Sequence, residues 1–295
     1  MRRVPVLAVV WLAALVTGAA VVDRPEAVRA PELVGDGVVS KVDRNETFPA
    51  IDPVDGSLWY SVYENSFDAQ TIMVARRSGA SWLEAQAAPF SGRWGDRAPR
   101  FSPDGRRLYF TSNRPRTAGG ARGDMNIWVV ERSAAGEWSE PRLLPEPVNT
   151  GSREIHNVET ANGTIYLASD RPGGRGRSDI YRFTRSGEAW TGTSVTAVND
   201  SLSQPDLLVS PDEEWMILAI TDHARGLGGD DLFISRRTGA TWSAPSPLGA
   251  PINSSEYEYG PTLSPDGRYI YYTSHRRNGS ADVYRVSVAE VLGSR

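Results

Sequence analysis

Five residues, Glu46, Asp96, Glu154, Gln204 and Glu258, occupy one position, give or take a residue, of a pattern that recurs along the chain. Four carboxylates and an amide brought together could hold a cation, the hard oxygen ligands suiting Ca²⁺. They could equally receive a Lys or Arg of a partner. The plainer expectation is preferred: each carboxylate accepts hydrogen bonds within its own repeat or from the next, because a repeat position usually serves the repeat.

A second shared position holds Arg114, Arg171 and Arg276, with Glu64 and His223 in the other copies. These arginines are expected to pair with the Asp of a following strand or with carboxylates across repeats. The three histidines, His156, His223 and His275, match no metal-ligand spacing. His156 falls near the expected channel and reads as a hydrogen-bonded wall residue rather than a base. No Gly-x-Ser-x-Gly elbow or Walker sequence occurs. The glycine runs at 173–176 and 226–229 lie between strands rather than ahead of a helix, so they read as flexible hairpin tips instead of phosphate loops. Cysteine is absent, which excludes disulfides and zinc–thiolate sites. These observations assign no catalytic residue, no metal ligand and no cofactor beyond Ca²⁺ at the acidic ring.

The elements that must position such groups follow from the repeat. Phe101-Ser102-Pro103-Asp104-Gly105 before Leu108-Tyr109-Phe110-Thr111-Ser112 recurs as Leu263-Ser264-Pro265-Asp266-Gly267 before Ile270-Tyr271-Tyr272-Thr273-Ser274. Weaker copies place the turn at Gly56, Gly163 and Glu213, giving steps of 49, 58, 50 and 54 residues. Pro presets φ, Asp supports the turn and Gly supplies positive φ. Each turn leads into a strand apolar on both faces, then a third strand, then a fourth opening at Trp82, Trp138, Trp190 or Trp242. The unit is a four-stranded antiparallel meander, and the expected fold is an all-β propeller of five blades. The fifth copy lacks its fourth strand, which residues 30–42 are expected to supply, closing the ring.

Composition agrees with short strands: 28 Gly, 20 Pro and 9 Trp in 295 residues, with a formal charge of −4. No basic block marks a nucleic-acid groove. Arg2 and Arg3 precede an apolar run over 4–20 that ends in small residues, the pattern of a cleaved secretory signal. The alternative is an uncleaved anchor. Residues 1–20 are therefore expected to be a signal peptide and 21–295 a single propeller domain, with no membrane span after cleavage.

Leu167-Ala168-Ser169-Asp170-Arg171-Pro172-Gly173-Gly174, ending in Asp179-Ile180-Tyr181, resembles the WD40-like β-propeller repeat of TolB-like proteins, as does Trp242 to Gly249 running on to Pro251-Ile252-Asn253. The resemblance implies a propeller, a bacterial periplasmic or secreted location, and protein contact rather than catalysis. It carries over no catalytic residue. The expected function is a non-catalytic, monomeric binding module for an envelope protein or a saccharide, with the loop at 114–124 its longest contact loop. The alternative is a glycan-active hydrolase, a chemistry that needs two carboxylates about 5–9.5 Å apart, here Glu154 and Glu258 with Glu159 nearby.

Overall fold

The serine of each Ser-Pro-Asp turn folds the chain back on itself. Ser102 Oγ donates to Asp104 Oδ1 at 2.6 Å, and the Gly105 amide closes onto Ser102 O at 2.9 Å. Ser210 with Asp212 and Ser264 with Asp266 repeat the arrangement. Glu213 takes the glycine place at φ +58°. Its carboxylate accepts from Tyr166 (2.8 Å) and Asn162 (2.9 Å) of the preceding repeat, contacts that offset the strained backbone.

A computed structural model of the chain describes residues 29–117, 119–121 and 123–293. The expected signal, residues 1–20, lies outside them. Four sheets follow the expected meander. Blade 1 comprises Asn45–Ile51, Leu58–Tyr63, Thr71–Ala75 and Gln86–Ala87. Blade 2 comprises Asp96–Phe101, Arg107–Ser112, Asn126–Glu131 and Arg142–Leu143. Blade 3 comprises Glu154–Glu159, Ile165–Ser169, Asp179–Ser186 and Ala189–Ser194. Blade 4 comprises Ser203–Val209, Trp215–Thr221 and Asp230–Thr238, with Thr241–Trp242 and Ser246–Pro247 both along its outer edge. In blade 5, Glu258–Leu263, Tyr269–Arg277 and Ser280–Ser287 are completed by Glu32–Leu33, which pairs Glu32 with Arg285 and Leu33 with Tyr284. The chain's two ends thus share one sheet, as expected, although the pairing strand is only two residues long.

Except in blade 3, the fourth strands are more broken than expected. Each Trp packs under an arginine from the end of the third strand: Arg77 over Trp82 at 4.1 Å, Arg132 over Trp138 at 4.4 Å, Arg237 over Trp242 at 5.3 Å. In blades 2 and 4, Pro141 and Pro245 follow the tryptophan before the chain rejoins the sheet and remove a ladder donor.

Second strands are buried on both faces, Ile165–Ser169 throughout. Their side chains join five apolar clusters, one at each joint between neighbouring blades. Successive blades are also linked by an asparagine. Asn149 accepts from the Ile127 amide (2.8 Å) and donates to Ile127 O (2.9 Å), standing in for a strand partner. Asn199 does so for Ile180 and Asn253 for Leu232.

The innermost strands carry one irregularity in common. Every one shifts register near its middle, between Thr47/Ala50, Arg97/Arg100, Ile155/Val158, Ser203/Asp206 and Tyr259/Thr262. Phe48, Ala98 and His156 there have φ near +50°, the signature of a bulge. Each bulge amide donates to a hydroxyl of the preceding blade: Phe48 to Thr273 (2.9 Å), Ala98 to Ser61 (3.0 Å), His156 to Thr111 (3.1 Å).

Candidate functional site at the channel mouth

The five residues of the acidic position are fully buried. Asp96 accepts from Ser112 Oγ at 2.6 Å and Arg114 Nη2 at 2.7 Å, while Arg114 Nε donates to the same serine. Glu154 with Ser169 and Arg171, and Glu258 with Ser274 and Arg276, form the same arrangement. Glu46 is held by Arg44 Nε at 2.5 Å and the Lys41 amide, and Gln204 donates to Asp200 at 2.8 Å. The preferred expectation of own-repeat hydrogen bonding describes them. The expected open ring at the mouth does not: none of the five lines the cavity there. The Asp96, Glu154 and Glu258 oxygens are turned into the blade, where the directly paired second-strand serine and the arginine two residues after it supply donors. Arg114, Arg171 and Arg276 accordingly pair with the first-strand carboxylate of their own blade, not with the Asp of strand three.

The glycine runs are also not flexible tips. The Arg175 and Gly176 amides donate to Asp179 Oδ2, and those of Leu227 and Gly228 to Asp231 Oδ2. A Cβ at Gly176 would lie 1.7 Å from Leu202 O, and one at Gly228 1.8 Å from Glu256 O. Glycine is required there because the next blade's backbone passes so close.

The mouth itself is a cup of about 480 Å³. Its rim is aromatic, with Phe67 (40% exposed) from the loop at 63–70 and Tyr257 (47%) ahead of the fifth inner strand. Phe48 sits deeper, its ring 4.5 Å from that of His156 and 5.3 Å from that of Tyr259. Among the bulged residues, Phe48 and His156 line the cup. His156 Nδ1 meets Pro205 O at 2.9 Å and the Asp206 carboxylate. Both are acceptors, so Nδ1 carries the proton; burial lowers the imidazole pKa against the pull of Asp206, leaving it neutral with Nε2 bare. His275, also at the cup, donates from Nδ1 to Gly279 O and accepts the Tyr259 hydroxyl at 3.2 Å. His223, by contrast, packs at a tilt against Phe233 outside the cup.

Charged groups complete the wall. Burial, reinforced by Arg153, lowers the Arg97 guanidinium to about 10 despite Asp68 at 3.5 Å. Asp230 is raised to about 6, by burial first and then by Asp206, Asp222 and Asp231 against a hydrogen bond from Thr221. Besides Asp206 Oδ1, which faces His156 Nδ1, four lining side chains bury a polar atom with no hydrogen-bond partner among the described residues: Arg97 Nε, His156 Nε2, Ser178 Oγ and Asp230 Oδ1. No group of three or more His, Asp or Glu is placed to hold a metal among the described residues. The sequence reading reached His156 but missed Phe48, Arg97, Asp206 and Asp230. The signal was available in Pro49, Pro99, Pro205 and Pro261, since proline inside a strand marks a bulge or edge.

No protein-family profile and no curated protein matches the sequence. Among solved structures, a thermostable family-43 glycoside hydrolase superposes with TM-score 0.54 at 15% identity over 86% of this chain and 90% of that one. An alpha-L-arabinofuranosidase from Lactobacillus brevis gives 0.53 at 13%, over 86% and 93%. At these identities the likeness is one of fold. The chain is a five-bladed β-propeller. A putative TolB from Agrobacterium tumefaciens is also similar to this propeller, with TM-score 0.47 at 17% identity over 78% and 70%. The propeller spans only 36% of the puromycin-hydrolyzing peptidase of Mycobacterium tuberculosis that it matches at TM-score 0.46.

Proposed function

We propose that this propeller is an exported binding module that holds a saccharide in the channel-mouth cup. The observation that carries the reading is a cup of about 480 Å³ that sets polar and charged residues, among them Arg97, Arg153, His156, Asp206 and Asp230, beneath an exposed aromatic rim. A ligand rich in hydroxyls supplies both donors and acceptors to such a set, and its apolar face stacks on rings such as Phe67 and Tyr257. The signal-like amino terminus supports export. Titration calorimetry against a panel of mono- and oligosaccharides tests the reading. At least one should bind saturably, with affinity reduced about tenfold or more in a Phe67→Ala, Tyr257→Ala double variant. Binding that the double variant leaves unchanged sinks it.

A second reading, hydrolysis, is favoured by Asp230. Its carboxyl stays protonated to about pH 6 near Asp206, giving two carboxyl groups of unlike environment in one cup. This pair replaces the Glu154 and Glu258 expected from the sequence, which are buried against arginines. Asp230→Asn that abolishes release of an aryl leaving group while saccharide still binds would establish catalysis.

A further inference from the structure

At the opposite, hairpin end of the channel lies a separate cavity of about 190 Å³, walled by the turn prolines Pro53, Pro103, Pro211 and Pro265, with Arg100 and Glu159 also lining it. Arg100 is 3% exposed. Its Nη atoms donate to Pro49 O (3.4 Å), Pro99 O (3.2 Å) and Pro261 O (3.3 Å), and its Nε has no partner among the described residues. None of these partners is charged. The other two buried arginines each face a carboxylate, Arg97 at 3.5 Å from Asp68 and Arg114 at 2.7 Å from Asp96. The carboxylate lining the same cavity, Glu159, is already taken by Arg107 (2.8 Å) and the Tyr109 hydroxyl (2.9 Å). A guanidinium withdrawn from water with no carboxylate in ion-pair reach among the described residues is costly, and burial lowers Arg100 to about 10 against the longer-range pull of Asp206.

We propose that this cavity is an anion site in which Arg100 receives the carboxylate of a small organic acid. The planar fork of a guanidinium matches a carboxylate, and the proline walls suit a short apolar tail. A phosphate, carrying close to two charges, would ask for a second cation, and Arg107 is committed to Glu159. The space is smaller than the roughly 300–1,000 Å³ of sites for larger ligands, which limits the acid to a few carbons. The site is independent of the saccharide cup.

Propionate titrated into the full chain at fixed ionic strength, against chloride, tests it by arginine Nε–H nuclear magnetic resonance. One resonance, the one missing from Arg100→Lys, is expected to shift saturably with propionate and not with chloride. The thermal midpoint should rise with propionate in the wild type and lose that rise in Arg100→Met. No shift, or a shift shared by all the arginines, overturns the proposal, as does an undiminished thermal response in Arg100→Met. Should either variant fail to fold, a saturable, propionate-specific shift of one wild-type resonance supports it, and its absence overturns it.

Discussion

Asp230 is a cup residue whose carboxyl is pushed well above its ordinary range. Its carboxyl has an ordinary value of 3.8 and a folded value of about 6. Between those values the folded state holds a proton that the unfolded state has released. The contribution of this group to stability is therefore fully present below pH 3.8 and lost as the pH rises through 6. Asp230→Asn should leave stability unchanged near pH 4 and raise it by about 2 kcal/mol at pH 8. Urea denaturation at the two pH values measures this, and an equal effect at both would refute the assignment. Reading such groups from sequence fails for a definite reason. Repeat position tells which strand a residue occupies, but burial depends on the bulge that turns Phe48 and His156 toward the axis and leaves Glu154 facing its own serine and arginine.

Much of the blade was legible at the level of elements: the Ser-Pro-Asp-Gly turns, the doubly apolar second strand and the supply of the last outer strand from residues 30–42, of which Glu32–Leu33 pair, though not the breaks in the fourth strands. What was less legible was how blades are joined, because those bonds come from loops. Asn253 is one case. It serves both the amide and the carbonyl of Leu232, so Asn253→Ala leaves two backbone groups unpaired in a buried place. We expect a loss of about 2–4 kcal/mol, read from chemical denaturation. Asn253→Asp, which keeps the acceptor and loses the donor, should fall between. An alanine variant as stable as the wild type would show that water takes over the role. The Ser-x-Arg sequences at 112–114, 169–171 and 274–276 were only partly legible within the blade itself. Their spacing was visible, but not that both residues turn to the carboxylate of the neighbouring strand in the same blade.

At the scale of the whole molecule, the ring is closed by Glu32–Leu33 on Ser280–Ser287 and by Val34 donating to Val283 O at 2.9 Å. Deleting residues 1–34 should expose the third strand of blade 5 as an unprotected edge. Hydrogen exchange at Val283 and Tyr284 is expected to rise at least tenfold, with a lower thermal midpoint and concentration-dependent aggregation. Unchanged exchange would mean that the amino-terminal strand does not fasten the ring. Fastening of another kind distinguishes the five joints. The joints at 5/1, 1/2 and 2/3 carry the hydroxyl to bulge-amide bond, from Thr273, Ser61 and Thr111. The equivalent residues in blades 3 and 4 are Ala168 and Ala219, which have no hydroxyl to give. Those same two joints hold the largest apolar clusters among the described residues, 14 and 13 buried side chains against 9, 8 and 7. Blade 4 is thus seated by grease and its companions by pegs. Because apolar association weakens on cooling, chilling should loosen the seating of blade 4 first, and with it the mounting of Asp206 and Asp230 in the wall of the cup.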